Sequence, residues 1–208
     1  MELNKRFLTY HLKKRPYIIL KWAQTKNGFF ASNENLPFWI TNEKSKQLVH
    51  LWRSQEQAVL VGTNTVRVDN PQLTTREVKG KNPIRILIDK DLNLNQSLNA
   101  FNKEASTVVF NKKVNKKNTN TDFVKINFGS DMLNELLSRL WEQEVQSLII
   151  EGGKRLLMSF VEQNLWDEAR VFTGDKELKD GIQAPVLSSL YVYKQSIQND
   201  ELCIFKNE

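Results

Sequence analysis

The sequence predicts an α/β fold: a mostly parallel central sheet with helices on both faces and an antiparallel hairpin at the C-terminal end. Three observations carry this. Short unbroken apolar runs, such as Leu148-Ile149-Ile150 and Ala58-Val59-Leu60-Val61, read as strands buried on both faces, the signature of parallel pairing. Helical patterns alternate with these runs, which argues for layered α/β units. Two short apolar runs between Leu190 and Phe205 flank Asn199-Asp200, a hairpin signal.

Residues 1–15 are polar and basic and read as an arm or linker remnant, leaving residues 16–208 as one domain. Tyr17 to Ala23 is a β-branched and aromatic strand that contains Lys21 near its exit. Gln24 to Pro37 reads as a loop turning at Asn27-Gly28. Thr41 or Asn42 caps a helix whose apolar stripe is Leu48, Leu51 and Trp52. A strand over residues 58–62 runs into Gly62-Thr63-Asn64-Thr65, followed by a segment to Arg76 too polar for a core. Ile84 to Ile88, Thr107 to Phe110 and Phe123 to Ile126 are further strands. Between the last two lies an Asn/Lys/Thr-rich loop with the composition of a mobile segment. A helix from about Asp131 to Glu144, capped by Ser130, presents Leu133, Leu136, Leu137 and Leu140 on one face. Glu168 to Thr173 is the last strand before the hairpin.

Composition limits the function classes. With 208 residues and 40% hydrophobic content the chain suits a single domain. No run of about 18 apolar residues exists to span a membrane, and Met1 to Arg15 holds no secretory apolar core. One cysteine, Cys203, and two histidines, His11 and His50, argue against an internal disulfide or a Cys/His metal site and point to the cytoplasm. The +6 charge suits phosphorylated small molecules better than nucleic acid, because no aromatic-and-basic RNA motif or basic recognition helix accompanies it.

The most informative stretch is Ser147 to Phe160. A buried strand enters Glu151-Gly152-Gly153, and a helical pattern starts at Lys154-Arg155. Glycines let the backbone approach a ligand closely, and a helix start offers unpaired N–H groups and a positive dipole end to a phosphate. Two cations in that first turn oppose the dipole and call for an anionic guest. An ordinary strand-to-helix turn with two solvated basic residues fits the same stretch. Ligands of parallel sheets bind beyond the carboxyl ends of the strands, and Lys21, residues 62–69 and residues 151–155 all follow such ends.

Several ordered motifs together resemble one family. They are Tyr17-Ile18-Ile19-Leu20-Lys21-Trp22-Ala23-Gln24-Thr25-Lys26-Asn27-Gly28, Trp39-Ile40-Thr41, Arg53, Thr65-Val66-x-x-Asp69-x-Pro71-x-Leu73-Thr74-x-Arg76 and Glu151-Gly152-Gly153. They resemble the reductase domain of the bacterial bifunctional riboflavin-biosynthesis deaminase/reductase, a relative of dihydrofolate reductase in fold. The likeness spans nearly the whole chain. It implies NADPH-dependent reduction of 5-amino-6-(5-phosphoribosylamino)uracil to the ribitylamino compound, and a homodimer. It also implies a deaminase supplied by a fused or separate N-terminal unit, because the H-x-E and P-C-x-x-C of a zinc deaminase are missing here.

By the same resemblance, Lys21, Asp69 and Glu151 are the catalytic candidates. Thr41, Arg53, Leu73, Arg76 and Glu151 line the substrate. Ala23, Trp39, Thr65, Asp69 and the turn Gly152, Gly153, Lys154, Arg155, Leu156, Leu157, Met158 and Ser159 hold the cofactor. Arg53 and Arg76 suit a bidentate grip on a phosphate. Two positions depart from the pattern: Pro37 replaces a common serine, losing a hydroxyl, and Asn27 replaces an aspartate, losing a charge. Lys90, Lys112 and Lys113 are the cations near strand ends that could select NADPH by its 2′-phosphate. The competing readings are a dihydrofolate-reductase-like enzyme with another substrate, and a domain that binds NADPH without turnover.

Overall fold

The computed structural model describes residues 4–33 and 38–207, so Pro37 lies outside the described residues. Strand β1 (Tyr17–Gln24) occupies the middle of a ten-stranded sheet. On one side it pairs in parallel with β8 (Ser147–Gly152), then β3 (Ala58–Gly62), β4 (Ile84–Ile88), β5 (Thr107–Asn111) and β7 (Thr121–Lys125). On the other side it pairs in parallel with β9 (Glu168–Thr173). Antiparallel β12 (Asp200–Lys206) and β11 (Tyr191–Ile197) complete that side as the expected hairpin. The opposite edge is β6 (Lys116–Lys117), antiparallel to β7, inside the segment read from composition as a mobile loop. A separate two-stranded sheet pairs β2 (Phe29–Ala31) with β10 (Ile182–Gln183), where the sequence reads as loop.

Alternation along the strands builds two cores. Ile18 and Leu20 of β1, with Leu148 and Ile150 of β8, pack against α4 (Met132–Glu142) and α5 (Lys154–Glu162). Ile19 and Ile149 face the other way, toward Val49 and Trp52 of α2 (Glu43–Gln55) and Val66 of α3 (Thr63–Asp69). Side chains two apart on a strand share a face, so every central strand is apolar on both sides and three layers result. The helix caps follow partly as expected. The Asn42 side chain accepts from the Ser45 N–H at 3.0 Å and caps α2, whereas α4 starts after Asp131, not Ser130, without a side-chain cap.

Two segments differ from the sequence reading. Residues 63–69 form a short helix closed by Asn70 in the left-handed conformation (φ 40°). Its polar, β-branched sequence has low helix propensity, and a single buried residue, Val66, anchors it.

The basic N-terminal segment, read as an arm or linker remnant, holds helix α1 (Lys5–Lys13). Only Thr9 is buried along it, and its apolar residues Phe7, Leu8 and Leu12 are exposed. The segment's ion pairs are distant in sequence, Lys5 to Glu168, Arg6 to Glu56, and Lys13 and Arg15 to Asp167, and the Tyr10 hydroxyl donates to the Trp141 carbonyl at 3.1 Å. Glu56 has a fully buried side chain, and Arg6 grips both its oxygens. Arg6→Met would strand that carboxylate with only Arg170, 3.7 Å away. Breaking a buried pair costs about 3–5 kcal/mol, but a third of the Arg6 side chain is wet, which reduces the expected loss to about 2–3 kcal/mol. A thermal melt checks this, with a Tm drop of about 5–10 °C expected.

Candidate active site

The site is assembled where β1, β8 and β3 end. Ile19 and Ile149 face α2, and two residues further along the same strands Lys21 and Glu151 share that face. Arg53, in the last turn of α2, reaches them from above. Its Nε and Nη2 donate to the two Glu151 oxygens at 2.6 and 2.7 Å, and its Nη1 donates to the Thr74 carbonyl at 3.1 Å. Side-chain exposures of 11% and 8% make this a buried, bidentate pair that also pins the loop after α3. That loop holds Leu73 at φ 56°, a conformation that costs a non-glycine residue energy and that persists only when its surroundings hold it.

Electrostatics follow from burial. Desolvation pushes the Glu151 carboxyl pKa up, but the Arg53 charge and hydrogen bonds, with Lys21, outweigh it and hold the group ionised, down to about 2. Burial lowers the Lys21 pKa, with Glu151 opposing and Arg53 assisting the drop. His50 is buried next to Arg53 on α2, and desolvation followed by that charge takes its imidazole to about 4, so it is neutral at pH 7. Asp69 closes α3 and pairs with no cation among the described residues; although the residue is exposed, partial desolvation by the cleft walls raises its carboxyl pKa.

A cleft of about 560 Å³ brings together Lys21, Trp39, Arg53, Thr65, Asp69, Leu73, Arg76 and Glu151, eight of the residues singled out in the sequence. A second cavity of about 840 Å³ is lined by Thr65, Gly153, Lys154, Arg155, Leu156, Met158 and Ser159, together with Lys90. Both volumes fall in the range of small-molecule sites. Thr65 lines both, so the two spaces adjoin.

The remaining candidates sit elsewhere. Ala23, Thr41 and Gly152 are outside the lining of either cavity, and the Leu157 side chain is wholly buried in the α4/α5 core. Asn27 is a turn tie: its Oδ1 accepts from the Thr25 hydroxyl at 2.8 Å and its Nδ2 donates to the Leu178 carbonyl at 2.7 Å. Asn99 also lines the cleft, anchored to Asn70 by two hydrogen bonds of 2.7 and 2.9 Å. Nothing in the sequence flags it, because it arrives from a loop 29 residues away.

The turn after β8 explains its glycines. Gly152 has φ 128°, and a Cβ on Gly153 would lie 3.2 Å from the Thr65 Oγ1 of α3. Helix α5 begins at Lys154 with no side-chain cap, so its first N–H groups face the second cavity beside Lys154 and Arg155. Among the described residues no group of three or more His, Cys, Asp or Glu could hold a metal, and no helix is long and apolar enough to cross a membrane.

Residues 16–178 match the RibD C-terminal domain family. The riboflavin biosynthesis protein RibD of Aquifex aeolicus is 38% identical over 218 residues, covering 98% of this chain and 61% of that protein. A 2,5-diamino-6-ribosylamino-4(3H)-pyrimidinone 5′-phosphate reductase of the same organism is 31% identical over 171 residues, covering 76% of this chain and 76% of that protein. The crystal structure of a diaminohydroxyphosphoribosylaminopyrimidine deaminase/5-amino-6-(5-phosphoribosylamino)uracil reductase from Thermotoga maritima aligns with a TM-score of 0.88 at 27% identity, covering 100% of this chain and 62% of that one. The chain therefore spans about three fifths of the length of the Aquifex RibD and Thermotoga relatives. With the family matched across most of the sequence and a relative at this identity aligned along nearly all of it, the chain belongs to the RibD C-terminal domain family.

Proposed function

We propose that this chain reduces 5-amino-6-(5-phosphoribosylamino)uracil to 5-amino-6-(5-phosphoribitylamino)uracil, with NADPH as the hydride donor. One observation carries the proposal: the cleft holding Lys21, Asp69, Arg76 and Glu151 adjoins the glycine-turn cavity at Thr65. A reductase of a sugar phosphate needs a nucleotide site and a polar substrate site that meet. The turn fits a pyrophosphate, because a Cβ at Gly153 would crowd the Thr65 hydroxyl and the uncapped α5 start offers N–H donors.

The nicotinamide supplies the hydride when bound; the protein binds, orients and manages protons. Arg76, 43% exposed at the cleft mouth, faces incoming phosphate. The Arg53–Glu151 pair is a stiff wall whose remaining carboxylate lone pairs accept from sugar or uracil donors. Lys21, with its lowered pKa, gives up a proton more readily than a solvated lysine and so suits the amine nitrogen that is protonated as the ring-opened imine is reduced.

The named relatives divide between the uracil and the 2,5-diaminopyrimidinone. Both compounds, NADH in place of NADPH, and dihydrofolate belong in one assay of cofactor oxidation. Turnover of the uracil above the others supports the proposal; turnover of dihydrofolate alone, or of nothing with NADPH tightly bound, replaces it with one of the competing readings.

Cofactor preference rests on Lys90. Of the three lysines considered, Lys90 lines the second cavity, whereas Lys112 pairs with Asp91 at 2.8 Å and Lys113 lines neither space. Lys90→Ala should cut kcat/KM for NADPH by about tenfold or more while sparing NADH, the loss of one charge-assisted contact to a phosphate. A homodimer, a cytoplasmic location and a deaminase supplied by a fused or separate unit belong to the same proposal. For the dimer, the support is the unpaired outer edge of β11, where Tyr191, Val192 and Tyr193 are all about half exposed.

A further inference from the structure

We propose that Lys46 is a second cationic ligand for the substrate's phosphate, and that Glu77 holds its place beside Arg76 until that phosphate arrives; this rests on the reductase reading above. A phosphate monoester carries close to two negative charges near pH 7. Arg53 is a poor candidate to balance them, because three of its N–H donors are taken by Glu151 and Thr74. Among the described residues at the cleft mouth, that leaves Arg76 to face a dianion.

Lys46 stands next to it. On α2, its Nζ lies 3.5 Å from a Glu77 oxygen, and Arg76 Nε lies 3.7 Å from the same oxygen. The ammonium also lies 5.7 Å from the centre of the Trp39 ring, and Trp39 and Arg76 both line the substrate cleft. Two cations from separate elements thus converge on one carboxylate at the cleft mouth. Neither contact is tight: charge-assisted hydrogen bonds run at about 2.7–2.9 Å. Glu77 is 31% exposed in its side chain and can swing into water. The other acid on Lys46, Glu43 at 3.3 Å, is 79% exposed and already hydrated. A phosphate offers three oxygens to both cations at once, which a single carboxylate at these distances does not match.

The test titrates ribose 5-phosphate, by calorimetry, into the wild type and into Lys46→Ala, Lys46→Arg and Glu77→Gln. Lys44→Ala, exposed on the same helix, is the control. Lys46→Ala should weaken binding by about tenfold or more, Lys46→Arg should keep most of it, Glu77→Gln should tighten it and Lys44→Ala should leave it unchanged. In turnover, Lys46→Ala should raise KM for the phosphorylated pyrimidine and spare KM for its dephosphorylated form. Binding equal to wild type in Lys46→Ala, or no binding of ribose 5-phosphate by the wild type, overturns the proposal. Failure of the reductase reading looks different: Lys46 would still govern ribose 5-phosphate binding while no pyrimidine turned over.

Discussion

Replacing Arg53 by methionine should destabilise the protein by about 3–5 kcal/mol and lower kcat/KM by about a hundredfold or more. The stability loss follows from the geometry, since Glu151 would stay in a site where its side chain is 8% exposed, without the partner that holds both oxygens. The activity loss follows because the same guanidinium pins the Thr74 carbonyl, and with it the strained turn at Leu73 that lines the cleft. The double variant Arg53→Met/Glu151→Gln removes the stranded charge. It should recover much of the stability and little of the activity, separating the two roles.

The acid limb of the stability curve reports the same pair. The folded Glu151 pKa, about 2, lies below its ordinary 4.5, so the pair's contribution is fully present above about pH 4.5 and is lost as pH falls toward 2. Its size is about 3 kcal/mol by linkage. In Arg53→Met, where burial is opposed only by the weaker charge of Lys21, the Glu151 carboxyl pKa rises and the acid limb loses most of this component. Denaturant titrations of both proteins between pH 2 and 7 measure it.

Gly152→Ala should cost about 1–3 kcal/mol of stability, because φ 128° is open to glycine and strained for any other residue, and should weaken the cofactor only by shifting the adjoining Gly153 and the start of α5. Gly153→Ala should behave differently. Its φ of −75° suits alanine, so the fold tolerates it, but the new methyl meets Thr65 Oγ1 at 3.2 Å. Thr65 lines both cavities, so the displacement should weaken NADPH about tenfold or more with little change in Tm. Fluorescence titration of the cofactor, alongside thermal melts, separates strain from occlusion.

Much of this fold is legible in the sequence where burial is apolar and local. Runs such as Ala58 to Val61 and Leu148 to Ile150 name their own strands, and the leucines of α4 name its inward face. Helix α3 is not legible because its polar, β-branched sequence has low helix propensity and a single buried anchor, Val66, and α1 because its ionic partners come from afar. Arg6 meets Glu56 and Lys5 meets Glu168, 50 and 163 residues away. The candidate site divides the same way. Motif spacing collects Lys21, Thr65, Asp69, Arg76 and Glu151 into one cleft. It does not reveal that the guanidinium of Arg53, read as half of a phosphate clamp, turns to a carboxylate 98 residues on. Lys46 escapes notice because its exposed i, i+3 pairing with Glu43 is ordinary helix-surface chemistry.

The central claim is that one cleft sets a nicotinamide against the sugar's first carbon. The most direct measurement uses NADPH deuterated at the transferring face of C4 with 5-amino-6-(5-phosphoribosylamino)uracil, and reads the product by mass spectrometry and NMR. A single deuterium at C1 of the ribityl chain is expected, with oxidised cofactor formed in equal amount. A ribityl product without deuterium, or cofactor oxidised while the ribosyl compound is recovered unchanged, would contradict it.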